Sequence, residues 1–248
     1  RTIPAMEARK GGLGKCRRVE CDGQSKYRGD LSSDISKLAE GCGANQAVIL
    51  PAGSRYKIIL DNQVLTAGYP CIAAAQGQGA VIKVTYQEAM QSGGDVRSKG
   101  NRDEVGQRNM VGVYDIFRPE DNHLMIFEPL WWRCWRYIEL DIQCGNAPLE
   151  LRELSYRSTG YPLELKAKIK ANDWFERLIE PGFRTMRLCA NETYMDCPYY
   201  EQLQYIGDTR IQALLSYSLC NDDRLGREAI EFFGLSIDYD GLTWCSYP

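Results

Sequence analysis

Residues Glu192–Asp208 read ETYMDCPYYEQLQYIGD, and the reading of the whole chain turns on them. Three carboxylates, Asp196, Glu201 and Asp208, fall among four phenols, Tyr194, Tyr199, Tyr200 and Tyr205. Acids in an aromatic-lined polar site suit glycoside chemistry. Ring faces hold a sugar, ionised carboxylates bind its hydroxyls, and a desolvated acid protonates the leaving oxygen. On spacing alone, helix caps and surface acids are the plainer reading, and the preferred one.

The segment lies within a stretch of helical period that starts after about Leu165. Asp173 is placed to cap a first helix, with Glu176 at the capping-box position. Phe175, Leu178, Ile179 and Met186 then share a face, and Glu180-Pro181-Gly182 is expected to kink or interrupt it. Asp208 is the expected N-cap of a second helix, with Ile211, Leu214, Leu215 and Ser218 along one side and an end near Asn221. Asp222 or Asp223 caps a third, with Leu225, Ala229, Phe232 and Phe233 facing inward and Gly234 ending it.

Upstream the period is that of strands. Tyr56–Leu60, Ala80–Tyr86, Leu124–Phe127, Trp131–Cys144 and Leu149–Ser155 are β-branched or alternating runs. Gly53, Asp61-Asn62, Pro129 and Gly145-Asn146 punctuate them. Gln91–Gln107 is polar and reads as a long surface loop. Short strands followed by helices, rather than alternating with them, predict an antiparallel β-sandwich and then a helical domain. Within the strand Trp131–Cys144, Trp131, Arg133 and Trp135 share one face, and Trp132, Cys134 and Arg136 the other. Core packing with an edge ion pair is preferred for this cluster over a sugar-stacking surface.

Composition removes several function classes. The chain has 248 residues, a net charge of −3, and a carboxylate-rich end: Asn191–Pro248 carries −7. Binding driven by phosphate neutralisation is therefore not expected, so no nucleic-acid partner is proposed. No apolar run is long enough to span a membrane. The ten cysteines form no CxxC pair, and the single histidine, His123, excludes a site needing two imidazoles. His123 sits in a polar loop, Glu120–His123. Gly11-Gly12-Leu13-Gly14-Lys15 lacks phosphate-loop spacing and reads as a loop, and Gly77-x-Gly79 reads as a turn. Asn191-Glu192-Thr193 is a glycosylation sequon of the kind that arises by chance. The first residues form no signal peptide, and ten unclustered cysteines fit a reducing, cytoplasmic compartment better than a secreted one.

Asp196-Cys197-Pro198-x-x-Glu201 followed by Gly207-Asp208 resembles the signature of the α-L-rhamnosidase family of glycoside hydrolases, family 78. The resemblance extends to Phe127–Arg133, Arg136–Leu140, Lys99–Arg102 and Arg1–Pro4, covering nearly the whole chain. It implies β-sandwich domains preceding an (α/α)6 six-hairpin barrel. Here that would be a β-sandwich accessory domain over 1–165 and the start of the catalytic domain over 166–248, as a piece of a longer enzyme. It implies inverting hydrolysis of terminal α-L-rhamnose from glycosides or oligosaccharides, with no metal or other cofactor. Glu201 resembles the general acid. Asp196 and Asp208 resemble the acids that hold the sugar hydroxyls, with Tyr200 and Tyr205 as further substrate-binding residues. The family's general base, a later Glu, has no match here and is expected beyond Pro248. Pro181 departs from the family's uninterrupted first barrel helix. The competing reading is a non-catalytic carbohydrate-binding β-sandwich module that uses its Trp131–Trp135 strand.

Overall fold

The structure, a computed structural model, describes residues 2–22, 26–41, 47–92, 98–120 and 123–248. They form two compact units, one of residues 9–158 and the other of 1–8 with 159–248. The change of period near Leu165 thus lies just inside the second unit. Residues 2–8 pack with the helices rather than with the strands before which they stand in the sequence.

Among the described residues, the first unit holds nine strands in one all-antiparallel sheet: β1 (Lys10–Gly12), β2 (Lys15–Asp22), β3 (Val48–Leu50), β4 (Arg55–Gln76), β5 (Val81–Gln87), β6 (Tyr114–Phe117), β7 (Met125–Phe127), β8 (Arg133–Gln143) and β9 (Leu149–Ser158). The 22-residue β4 organises it. Its first third pairs with β2 and β8, and its last third with β7 and β9. Ile58 and Leu60 from one end of β4 share a core with Ile72 and Ala74 from the other. The sheet therefore doubles over one apolar interior, an arrangement consistent with a β-sandwich.

Asp61-Asn62 does not end the strand, contrary to the reading of these residues as a break. It makes a bulge, with the register to β8 shifting between Asp61 and Thr66 and Gln63 at φ 66°. The Asp61 carboxylate is 1% exposed and three donors converge on it. These are Arg17 at 2.7 Å, Arg136 at 3.1 Å and the Gln63 amide at 2.7 Å. Opposite the bulge, β8 changes face at Arg136. Trp135 and Ile138 are three residues apart, yet both enter the core with Leu140 and Ile142. Trp131 precedes the strand and is half exposed, whereas Trp135 is fully buried, so the two do not share the expected face. The ion pair expected beside them is present: Arg133 grips Asp115 with both branches, at 3.0 and 2.7 Å.

A helix that the β reading missed, α1 (Leu31–Ala39), covers this core with Leu31, Ile35 and Leu38. Its N-cap is Asp30, whose side chain accepts from the Ser33 amide. The stretch Gly11–Lys15 is not a loop as read: Gly11 and Gly12 pair with β9 as part of β1, Lys15 starts β2, and only Leu13-Gly14 joins the two strands. Gly14 sits at φ 96°, where a Cβ would lie 2.3 Å from the Asp61 carbonyl oxygen. Of the polar stretch Gln91–Gln107, residues 93–97 lie outside the described residues. The remainder packs against the sheet: Val105 is buried with Ile59, Met90 and Tyr137, and the Tyr137 hydroxyl donates to the Arg102 carbonyl at 2.7 Å. His123 is exposed, and Asp121 and Asn122 beside it lie outside the described residues.

The second unit contains α2 (Asp173–Leu188), α3 (Ile206–Leu215), a π-helical turn (Ser216–Cys220) and α4 (Arg224–Leu235). Several helix boundaries differ from expectation. The cap of α2 is Asn172, accepting from the Phe175 amide at 3.0 Å, one residue before Asp173. Pro181 does not interrupt α2. The proline costs the helix one donor and crowds the Arg177 carbonyl, but Arg177, Pro181 and Gly182 all stand exposed, so the freed carbonyl is open to solvent. Asp208 lies in the first turn of α3 and Tyr205 is the N-cap; α4 runs one residue past Gly234. Asp223 is the N-cap of α4 and makes no side-chain cap bond, while Asp222 accepts from the Arg224 amide.

The core of this unit gathers Ile3, Tyr161, Leu163, Met186, Ala190, Tyr194, Ala213, Cys220, Leu225 and Ala229. For α4 the inward face is the expected one. For α3 it is not: Ile211, Leu214 and Leu215 are exposed, while Thr209, Ala213 and then Ser216 point inward. Small residues permit close approach. A Cβ on Gly226 would lie 2.2 Å from the Tyr217 hydroxyl. Phe175 and Leu178 on α2 are likewise exposed, and only Met186 of its expected face is buried. Among the described residues, no helix is long and apolar enough to cross a membrane.

Candidate functional site

The segment from Asp196 to Leu203 closes on itself as a compact loop. The Asp196 amide donates to the Leu203 carbonyl at 2.9 Å, and the Leu203 amide returns a bond to Asp196 Oδ1 at 3.0 Å. Inside this closure the Gln202 amide donates to the Cys197 carbonyl at 3.2 Å, and Gln202 Nε2 to the Pro198 carbonyl at 2.9 Å. Gln202 takes the left-handed φ of 56°, which a turn this tight requires. Glu201 rides on the turn, exposed, with its amide 3.3 Å from Cys197 Sγ.

The loop then leads into α3 through Tyr205, whose extended backbone (φ −92°, ψ 144°) is the helix cap. A second segment fixes this entry. Tyr205 bridges Ser246, the Ile206 amide donates to the Cys245 carbonyl at 2.9 Å, and the Tyr247 amide donates to the Gln204 carbonyl at 3.1 Å. Gln204 Nε2 adds a bond to the Tyr247 carbonyl at 2.7 Å.

The three sequence-predicted acids lie along this stretch, with Asp196 opening the loop, Glu201 on its turn and Asp208 in the first turn of α3. Desolvation first, then the charges of Glu201 and Asp196, raise the pKa of the Tyr205 phenol above its ordinary value. The Cys189 thiol stands at the C-cap of α2. Burial pushes it up to about 11, with further contributions from Cys197, Asp196 and Asp208. Asp196 is half-buried, while Glu201 and Asp208 face solvent. Tyr200 is 60% exposed and stands edge-on to the buried Tyr199, ring centroids 4.6 Å apart. Tyr194 is a core residue instead, donating to Ser216 Oγ at 2.8 Å. Asn191 of the sequon is 3% exposed, so its side chain is no glycosylation acceptor in the folded chain.

Sequence reasoning took Cys197 only as a letter of the motif and passed over Cys189 and the strap Cys245–Tyr247. The first two lie within or just before the motif, where their cysteine identity gave no cue. The strap is some forty residues away, and only the fold brings it to Gln204. A separate apolar cavity of about 670 Å³ opens between α3 and α4 and is lined by Ile206, Ala213, Leu214, Tyr217, Ala229 and Phe233. None of the three acids lines it.

The fold of this chain has counterparts among solved structures. Its fold matches that of the GH78 family rhamnosidase of Bacillus sp. GL1, with a TM-score of 0.69 over 87% of this chain at 21% identity. The chain resembles α-L-rhamnosidases in fold. The rhamnosidase from Klebsiella oxytoca, solved with rhamnose bound, aligns over 99% of this chain with a TM-score of 0.68 at 15% identity. The α-L-rhamnosidase from Aspergillus terreus aligns over 73% with a TM-score of 0.55 at 18% identity. The chain spans 22%, 47% and 20% of the lengths of these three rhamnosidase structures. No protein-family model matches the sequence, and no curated protein does either.

Proposed function

We propose that this chain carries the acid side of an inverting α-L-rhamnoside hydrolysis. Its helical unit would be the opening of a six-hairpin catalytic barrel and its β unit an accessory sandwich. The observation that carries the proposal is the closed loop Asp196–Leu203, which presents Glu201 to solvent between Asp196 at its start and Asp208 in the first turn of α3. In this reading Glu201 gives its proton to the glycosidic oxygen as the bond to the anomeric carbon breaks. Asp196 and Asp208 accept hydrogen bonds from the rhamnose hydroxyls, which fixes the ring. Tyr200 and Tyr205 offer aromatic surface to the sugar's apolar face. A second carboxylate, matched by no residue of the motif, activates water on the opposite face. The exposed apolar residues Ile211, Leu214 and Ile230 on α3 and α4 are what a barrel wall would present to further helices.

The test is hydrolysis of p-nitrophenyl α-L-rhamnoside by the chain beside its Glu201→Gln variant, with the product anomer read by proton NMR. Turnover that is lost in the variant and first releases the inverted anomer supports the reading. Turnover unchanged in the variant removes Glu201 from the chemistry.

One observation favours a second reading, a carbohydrate-binding β unit. Trp131 is half exposed and its ring stacks on the buried Trp132, centroids 5.9 Å apart and planes at 27°. Its carbonyl is held by Arg133 at 3.1 Å. A braced, exposed indole is a platform for a sugar ring, and a Trp131→Ala variant that lost sugar binding would support this reading.

A further inference from the structure

We propose that Cys197 is a positioning residue for Glu201, its sulfur holding the backbone of the acid. This rests on the assignment of Glu201 as the proton donor. Two contacts carry it. The Glu201 amide donates to Cys197 Sγ at 3.3 Å, so the sulfur of one loop residue fixes the peptide that bears the acid four residues on. The Cys197 carbonyl accepts from the next amide, that of Gln202, at 3.2 Å, so both of its acceptor atoms are spent on the turn at Glu201.

The arrangement has a clear physical purpose. Gln202 holds an unfavourable left-handed backbone, and Glu201, at the exposed tip beside it, has no packing to set its direction. An exposed carboxylate on a strained turn samples many directions unless something grips it. Sulfur is a weak acceptor, but its larger radius lets it reach an amide across the turn. Alanine here would leave that amide to water and release the loop.

Two measurements on the chain test the proposal. The first is amide hydrogen exchange at Glu201, read by NMR. Cys197→Ala is expected to speed exchange at this amide about fivefold, the loss of one net hydrogen bond, while Cys197→Ser, whose hydroxyl can accept, largely restores protection. Equal exchange in the parent chain and Cys197→Ala overturns the proposal whether or not the chain turns over any rhamnoside. The second compares hydrolysis of p-nitrophenyl and methyl α-L-rhamnosides. A misplaced acid slows the poor leaving group far more than the good one, by up to about 100-fold for a displacement near 1 Å. A merely less stable protein loses both equally. Cys197→Ala is expected to show the split and Cys197→Ser to show less of it. Equal losses on both substrates overturn the positioning role. Turnover that survives Glu201→Gln unchanged with the exchange effect intact instead removes the catalytic assignment, and the positioning role with it, while leaving the hydrogen bond as a feature of the loop.

Discussion

The bulge in β4 depends on a buried charge, and removing that charge should be costly. Asp61 is 1% exposed and receives Arg17, Arg136 and the Gln63 amide. The three contacts are not equal. The Arg17 side chain is 39% exposed, so its pair is largely screened and contributes about 0.2–1 kcal/mol. Arg136 is 17% exposed and also binds the exposed Asp103 at 2.7 Å, so it keeps a partner when Asp61 is lost. The Gln63 amide belongs to an exposed residue and can turn to water, so its lost bond costs about 0.5–1.5 kcal/mol net. Together with Arg17 and the incompletely paired Arg136, Asp61→Ala should cost about 2–3 kcal/mol, at the low end for breaking a buried pair. Asp61→Asn keeps an acceptor for Gln63 and should cost about half as much. The assay is urea unfolding followed by tryptophan fluorescence, reading the midpoint at unchanged slope. A loss below about 1 kcal/mol for Asp61→Ala would refute the view that this carboxylate holds the bend.

Three further outcomes follow from the helical unit. Asn172→Ala should destabilise α2 by about 1 kcal/mol, and Asp173→Ala clearly less, because the structure puts the cap at Asn172; helicity measured against temperature separates them. The Tyr161 phenol is pushed up to about 12, by burial first and then by Asp222, whose carboxylate accepts from its hydroxyl at 3.2 Å. A raised folded value keeps its stabilisation whole below the ordinary phenol value and loses it as pH climbs toward 12, so Tyr161→Phe should flatten the fall in stability over that alkaline window. Cys189, buried and pushed up to about 11, should react with a disulfide reagent at neutral pH far more slowly than the exposed Cys21 and Cys245, as peptide mapping would show.

The strands were legible because a half-buried strand writes its burial into alternate residues. Tyr56–Leu60 and Ala80–Tyr86 fall within β4 and β5 for that reason. The continuation of β4 was hidden, since Asp61-Asn62 looks like a turn unless Arg17 and Arg136 are known to converge on it. α1 was hidden among strands although Asp30 and the spacing of Leu31, Ile35 and Leu38 carried a helix signal. On α3 the larger apolar stripe was assigned inward, but the small side faces the core, and the sequence alone holds no rule for choosing between packing by size and packing by contact. The acids were readable as a local motif. The bond to the Cys197 sulfur is local, yet nothing in the spacing marks a cysteine as an acceptor, and the Cys245–Tyr247 strap that fixes the entry to α3 is tertiary.

The most direct measurement of the central claim is L-rhamnose binding to the chain, followed by saturation-transfer NMR in the parent, in Asp196→Asn and in Trp131→Ala. The account predicts that Asp196→Asn abolishes the transfer and Trp131→Ala leaves it intact. Transfer that survives Asp196→Asn and vanishes with Trp131→Ala would contradict it and place the sugar on the β unit.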